Sequence, residues 1–245
     1  MAVLGLTDPG DGDWARLRGL QYSSLARVSR LRIAANLIAA LAVVWLYYAS
    51  LHPLVLAAWF AILSGTLWYS AKSDKALADA DRRRMSRDEV NRQSFGSIAN
   101  ARVWVLPLGG FAPYGGESAR LELWAITAML MTASAVLLPA VPLGNLLFAA
   151  IVAGGALAGF AWSGSYEMAM LSLVFVAVVG FGSVENARAF LTARIAEAAM
   201  VERNEVVSLL LREFEEGEAD WLWQIDTSRR VRSVSPRFAF ALGLT

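Results

Sequence analysis

The sequence predicts an all-α integral membrane protein: about six transmembrane helices, then a cytoplasmic signalling helix, then a short pair of strands. Three observations predict it. Hydrophobic residues make up 57% of the chain, mean hydropathy is +0.47 and charged residues are only 18%, against about a quarter in soluble domains. Apolar segments recur at close to the roughly 20 residues that cross about 30 Å of hydrocarbon. The strong bases gather in alternate gaps between those segments.

Residues 1–30 are polar, with Asp8, Gly10, Asp11, Gly12 and Asp13 followed by Arg16, Arg18, Arg27 and Arg30. A cleavable signal peptide would place its apolar core earlier, so none is expected. Residues 14–30 read in either of two ways. One is an amphipathic helix on the inner membrane surface, with Leu17, Leu20, Tyr22 and Leu25 towards lipid. The other is a solvated arm leading into the first span.

Six spans are expected over residues 31–50, 53–71, 96–114, 121–140, 143–162 and 165–184. The third departs from the pattern, because it contains Asn100, Arg102, Pro107, Gly109 and Gly110. It reads as kinked, as packed against other spans, or as re-entrant.

Orientation follows from the loops. Arg16, Arg18, Arg27, Arg30 and Arg32 precede the first span, and Lys72, Lys75, Arg82, Arg83, Arg84, Arg87 and Arg92 separate the second from the third. Arg188, Arg194 and Arg203 follow the sixth, while the intervening loops hold only Arg120. Bases collect on the cytoplasmic side. An even number of spans puts both termini there, in a multi-pass membrane protein. Trp45, Trp59, Trp124 and Trp162 near the outer ends and Trp68 near the inner one read as interfacial belts; Trp104 falls mid-span and reads as a packing residue.

Residues 185–216 are charged but keep Leu191, Ile195, Ala198, Val206, Leu210 and Phe214 at helical spacing. At 1.5 Å per residue this helix would be about 45 Å long. It reads as a cytoplasmic continuation of the last span, able to pair with its copy in a homodimer.

From Ser208 the chain runs SLLLREFEEGEADWLWQIDTSRRVRSVSPRF. Gly217 stops the helix, 221–226 reads as a strand holding Trp221 and Trp223 on one face, and Asp226 opens a polar turn. Residues 231–234 read as a second strand, and Ser235 and Pro236 as the cap and first residue of another helix. Over 206–244 this resembles the opening of a PAS sensory domain, in the form aDWLWeiDxxGrlrhvSprf. With SLLLREFEE and a polytopic region before it, the chain resembles the membrane-bound bacterial PAS proteins that continue into GGDEF and EAL domains, which make and degrade cyclic diguanylate. One departure stands out: Arg229 or Arg230 replaces the usual turn Gly, so the turn is expected to be built differently. The resemblance implies a sensory input region in the bacterial inner membrane. Fewer than thirty residues follow Gly217, whereas a complete PAS domain implies about a hundred, so 217–245 is expected to be incomplete. No GGDEF, EAL or histidine-kinase sequence occurs, so a non-catalytic chain is expected.

Composition excludes several classes. With no Cys and only His52, disulfides, thiolate metal sites and paired-imidazole sites are absent. No catalytic set can be assembled, and no cofactor is expected. A net charge of +1 gives no global field for nucleic acid. The run Arg82–Arg83–Arg84 reads as a topology determinant facing anionic lipid.

Four intramembrane polar residues are candidate sensing groups: Asn36, Asn100, Arg102 and Glu167. Glu167 reads as a cation or proton site, or as an interfacial carboxylate in water. Arg102 reads as a contact for an anion, or as a side chain snorkelling to the inner surface. Asn36, Asn100 and Asn145 suit interhelical hydrogen bonds, and Gly154, Gly155 and Gly159 suit close helix packing. Two other readings stay open: a small transporter-like protein, and the input region of a sensor histidine kinase.

Overall fold

The computed structural model describes residues 14–77, 80, 85–216, 223–225, 228–234, 240 and 243. Helix α1 (Trp14–Ser23) passes through Ser24 into α2 (Leu25–Tyr47). Helix α3 (Pro53–Lys75) starts where sequence signals coincide: Pro53 fills the first turn, and His52 Nδ1 accepts the Leu54 N–H at 3.3 Å. Helix α4 (Arg87–Leu106) opens with a capping box, in which Ser86 and Glu89 satisfy each other's backbone N–H. It runs on as a π-helical turn, Pro107–Phe111, and a 3-10 turn, Ala112–Tyr114. Then come α5 (Glu117–Leu137), α6 (Pro142–Trp162) and α7 (Tyr166–Glu216).

Five of these helices, α2, α3, α5, α6 and α7, are long and apolar enough to cross a membrane. The expected third span is not among them. Its helix starts earlier, at Arg87, and so takes in Asp88, Glu89 and Arg92. Many of its apolar residues turn inward instead: Ala101, Val103, Trp104, Leu108 and Phe111 are buried in the main core, while Phe95 and Leu106 stay exposed. Helix α4 packs chiefly along α6 and α3, so protein covers surface that a lipid-facing span would give to hydrocarbon.

Two apolar clusters make the core of the bundle. The larger joins α2, α3, α4, α5 and α6 around Tyr47, Trp59, Trp104, Leu123 and Val152. The smaller collects Tyr22, Leu25, Leu77, Met85, Val90 and Val141. It gathers the start of α2, the end of α3, the start of α4 and the α5–α6 turn at one end, which also carries Arg18, Arg32, Lys72 and Arg92 and is called the basic end below. Tyr22 and Leu25, turned to lipid in one of the two readings of 14–30, are buried there. Two backbone-directed bonds hold α1 in place: Met85 N–H to Ala15 C=O at 2.9 Å, and Arg18 Nε to Met85 C=O at 3.1 Å.

The Trp belt is also corrected. Trp45, Trp68 and Trp162 are exposed, but Trp59 and Trp124 are buried. Ring packing draws them in: Trp59 stands edge-on to Trp104 and Phe111, and Trp124 to Phe160 and Phe175.

Helix α7 runs unbroken through residue 185, where the charged helix is expected to continue the last span. The chain divides into two compact units inside that helix, Met1–Arg194 and Ile195–Thr245. The second unit contains an antiparallel ladder of β1 (Trp223–Ile225) and β2 (Val231–Val234), with Trp223 opposite Val234 and an irregularity between Gln224 and Ile225. Arg229 takes φ +61°, the left-handed region in which glycine is the unstrained choice. Trp221, Asp226, Ser235, Pro236 and the run 82–84 lie outside the described residues.

Candidate functional site

Asp74 sits in the last turn of α3 and is fully buried. A carboxylate there is doubly disfavoured, by desolvation and by the negative end of the helix dipole, unless donors surround it. Three do. Ser29 Oγ and Arg32 Nη2, from α2, donate to Oδ2 at 2.5 and 2.6 Å. Gln93 Nε2, from α4, donates to Oδ1 at 2.6 Å. Ser73 Oγ then donates to Gln93 Oε1 at 2.9 Å, which fixes which way the Gln93 amide points. One carboxylate therefore ties three helices together.

The network continues towards the other end of the bundle. Asn36 Nδ2 donates to the Arg32 carbonyl at 2.9 Å. Asn36 Oδ1 accepts from Trp104 Nε1 at 3.0 Å and from Asn100 Nδ2 at 3.3 Å. From Trp104 the contacts become aromatic: Trp104 to Trp59, Trp59 to Phe111, and Phe111 to Tyr47, with centroids 5.6, 5.6 and 5.9 Å apart. The Tyr47 hydroxyl donates to the Ala119 carbonyl at 3.5 Å, in the first turns of α5. The result is one contiguous column, polar at the basic end and aromatic at the other.

Its middle rests on a backbone substitution. In an α-helix the Val103 carbonyl would accept from residue 107, but Pro107 has no N–H. Trp59 Nε1 supplies the donor instead, at 3.0 Å. The missing backbone bond of α4 is thus made from α3.

The column is closely packed where it is polar. The cavity beside Arg32 and Asn36 measures about 10 Å³, at the lower limit for a single water. Arg32 Nε and Asn100 Oδ1 are buried with no hydrogen-bond partner. Among the described residues no group of three His, Cys, Asp or Glu could hold a metal. With both Asp74 oxygens engaged by donors from α2 and α4, the carboxylate ties α2, α3 and α4 together.

Space opens at the opposite end. A cleft of about 510 Å³ lies between the turn Pro107–Phe111, the start of α5 and the second half of α6, lined by Leu108, Gly109, Arg120, Gly155, Gly159 and Trp162 among others.

No protein-family model, curated protein or solved structure matches the chain.

Of the residues singled out from sequence, Asn36 and Asn100 meet in the column. Arg102 is exposed on α4 and Glu167 is exposed in the first turn of α7, and neither side chain has a hydrogen-bond partner among the described residues. Asn145 bridges helices by donating to the Ser134 and Leu138 carbonyls at the end of α5. Gly155 meets Val105, where a Cβ would lie 3.0 Å from the nearest methyl. Asp74, Ser29, Arg32 and Gln93 escaped the sequence reading as a site. The one available signal was an acid among the bases Lys72 and Lys75 at the end of an apolar run.

Proposed function

We propose that the chain is the multi-pass membrane input region of a bacterial signalling protein of the diguanylate cyclase/phosphodiesterase type. The helices α2 to α7 make six crossings, with α4 shielded by its neighbours, and the basic end and both termini face the cytoplasm. The observation that carries this reading is the continuity of α7: one helix holds both the apolar span from Tyr166 and the charged stretch to Glu216. Beyond it lies the ladder 223–234, read as the start of a PAS domain. A change in span packing can then bias α7 without any break in its backbone hydrogen bonds, provided that a stimulus has different affinities for two packings.

Homodimerisation through α7 belongs to the proposal. Val206, Leu209 and Leu210 are exposed apolar residues on a charged helix, the usual raw material of a helix-pairing seam. A transporter would need a polar path, and the interior between Asn36 and Tyr47 is filled by Trp59, Trp104 and Phe111; this supports input over transport.

The absence of cysteine makes the test clean. Single cysteines introduced along 195–216 are oxidised in native membranes. Cross-linking is expected to peak every three to four residues, with maxima at Val206→Cys and Leu210→Cys. A cysteine near residue 243 should react with an impermeant reagent only in inside-out vesicles. Absence of cross-linking at every position, or labelling of intact cells, sinks the proposal.

A further inference from the structure

We infer that the cleft bounded by Pro107–Phe111, the start of α5 and the second half of α6 binds a single-chain anionic amphiphile, a long-chain fatty carboxylate. Its head would lie on Arg120 and its tail along Leu108, Gly155 and Gly159. Three observations converge on this ligand class.

The first is charge. Arg120 is half-buried and lines the cleft, yet no hydrogen bond or ion pair engages its guanidinium among the described residues. Five N–H donors held in a mostly apolar cleft, where Ser163 is the other polar side chain, match a carboxylate, which takes two of them side by side. The second is size. At about 510 Å³ the cleft falls inside the roughly 300–1,000 Å³ of pockets that take one small ligand, which suits a single acyl chain. The third is construction. Gly109 has open space where a Cβ would project, so the π-helical turn leaves the cleft unfilled, while Gly155 and Gly159 are packed under Val105 and Leu108 and make its floor. Trp162, 94% exposed, stands at the rim.

The cleft also touches the column described above. Arg120 follows Ala119, whose carbonyl accepts the Tyr47 hydroxyl, and Leu108 belongs to the same turn as Phe111. A ligand seated on Arg120 therefore presses on the aromatic end of the chain of contacts that ends at Asp74. That the ligand is the input signal rests on the function proposed above; that it binds does not.

The test uses the full chain in zwitterionic detergent, with dibrominated stearate as probe and quencher of Trp162. Saturable quenching is expected, and Trp162→Phe should remove most of it. Arg120→Gln should weaken stearate at least tenfold, Arg120→Lys less, and dibrominated stearyl alcohol should bind weakly to all of them. Gly109→Leu fills the cleft and should abolish saturable quenching while the melting temperature stays put. Equal binding of acid and alcohol, indifference to Arg120→Gln, or displacement of stearate by phosphatidylglycerol at equal concentration overturns the assignment. Cross-linking at Val206→Cys is read on the same samples. Stearate that binds without altering it counts against the signalling reading alone, and no saturable binding counts against the site alone.

Discussion

Replacing Asp74 by Leu removes the acceptor shared by Ser29, Arg32 and Gln93. The Arg32 side chain is 15% exposed and its partner carboxylate 0%. Breaking a buried pair from one side costs about 3–5 kcal/mol, and the partial access of Arg32 to solvent places this case near 3 kcal/mol. At about 2–4 °C per kcal/mol for a chain of this size, the melting temperature should fall by about 6–12 °C. Arg32→Met should cost a similar amount, because it strands a fully buried carboxylate with only Ser29 and Gln93. The double variant removes both charges but leaves the Ser29 and Gln93 donors unanswered. It should therefore cost little more than either single change, giving a coupling of about 2–3 kcal/mol. Thermal unfolding in detergent, followed by emission from the interior Trp59 and Trp104, measures all four corners of the cycle. Additive losses, or an Asp74→Leu protein melting within about 2 °C of the parent, would refute the idea that this carboxylate locks α2, α3 and α4.

Trp59→Phe should cost about 1–3 kcal/mol by leaving the Val103 carbonyl unanswered, and Pro107→Ala in the same chain should restore most of it by returning a backbone N–H; absence of rescue in thermal unfolding would break the link between these two residues. Gly155→Leu should lose about 1–3 kcal/mol by driving side-chain atoms into Val105, whereas Gly154→Leu, where a Cβ meets nothing within 4 Å, should melt like the parent. Burial raises the Tyr22 phenol above its ordinary value, with Arg18 opposing in part. The folded state therefore holds this proton more tightly than the unfolded chain, so the contribution is intact below about pH 10 and is lost as pH rises beyond it. Tyr22→Phe should flatten that alkaline fall in melting temperature, and an unchanged slope would contradict it.

Much of the bundle was legible because apolar run length is a local property of the chain, and the caps at Pro53, Ser86 and Pro142, equally local, would have sharpened the helix starts. What lay beyond reach was pairing. Asp74 finds Ser29 and Gln93 at separations of 45 and 19 residues, and no periodicity in a single helix carries that information. The same limit misplaced Trp59 and Trp124: a Trp near the end of an apolar run reads as interfacial, and only its neighbours decide whether it turns inward. Arg102 and Glu167 drew notice because a charge in an apolar run is conspicuous, yet each faces outward. Asp74 drew none, being camouflaged by adjacent lysines. The half-helix of Tyr22 and Leu25 read as lipid-facing because its true partners, Leu77 and Met85, belong to a connection with little pattern of its own.

The wide turn at Pro107–Phe111 sets an angular phase. A uniform α-helix advances about 100° per residue, so one residue accommodated in a broader turn lets the segment before it and the segment after it address different neighbours. Val105 packs on Gly155 of α6, while Phe111 reaches Tyr47 on α2 and Trp59 on α3. Chain length here is consequently a more stringent quantity than chemical identity. Conservative exchanges at Leu108 preserve the phase. Deletion of a single residue would swing Phe111 through about 100° and uncouple it from both of its ring partners, even though every hydrophobic residue remained.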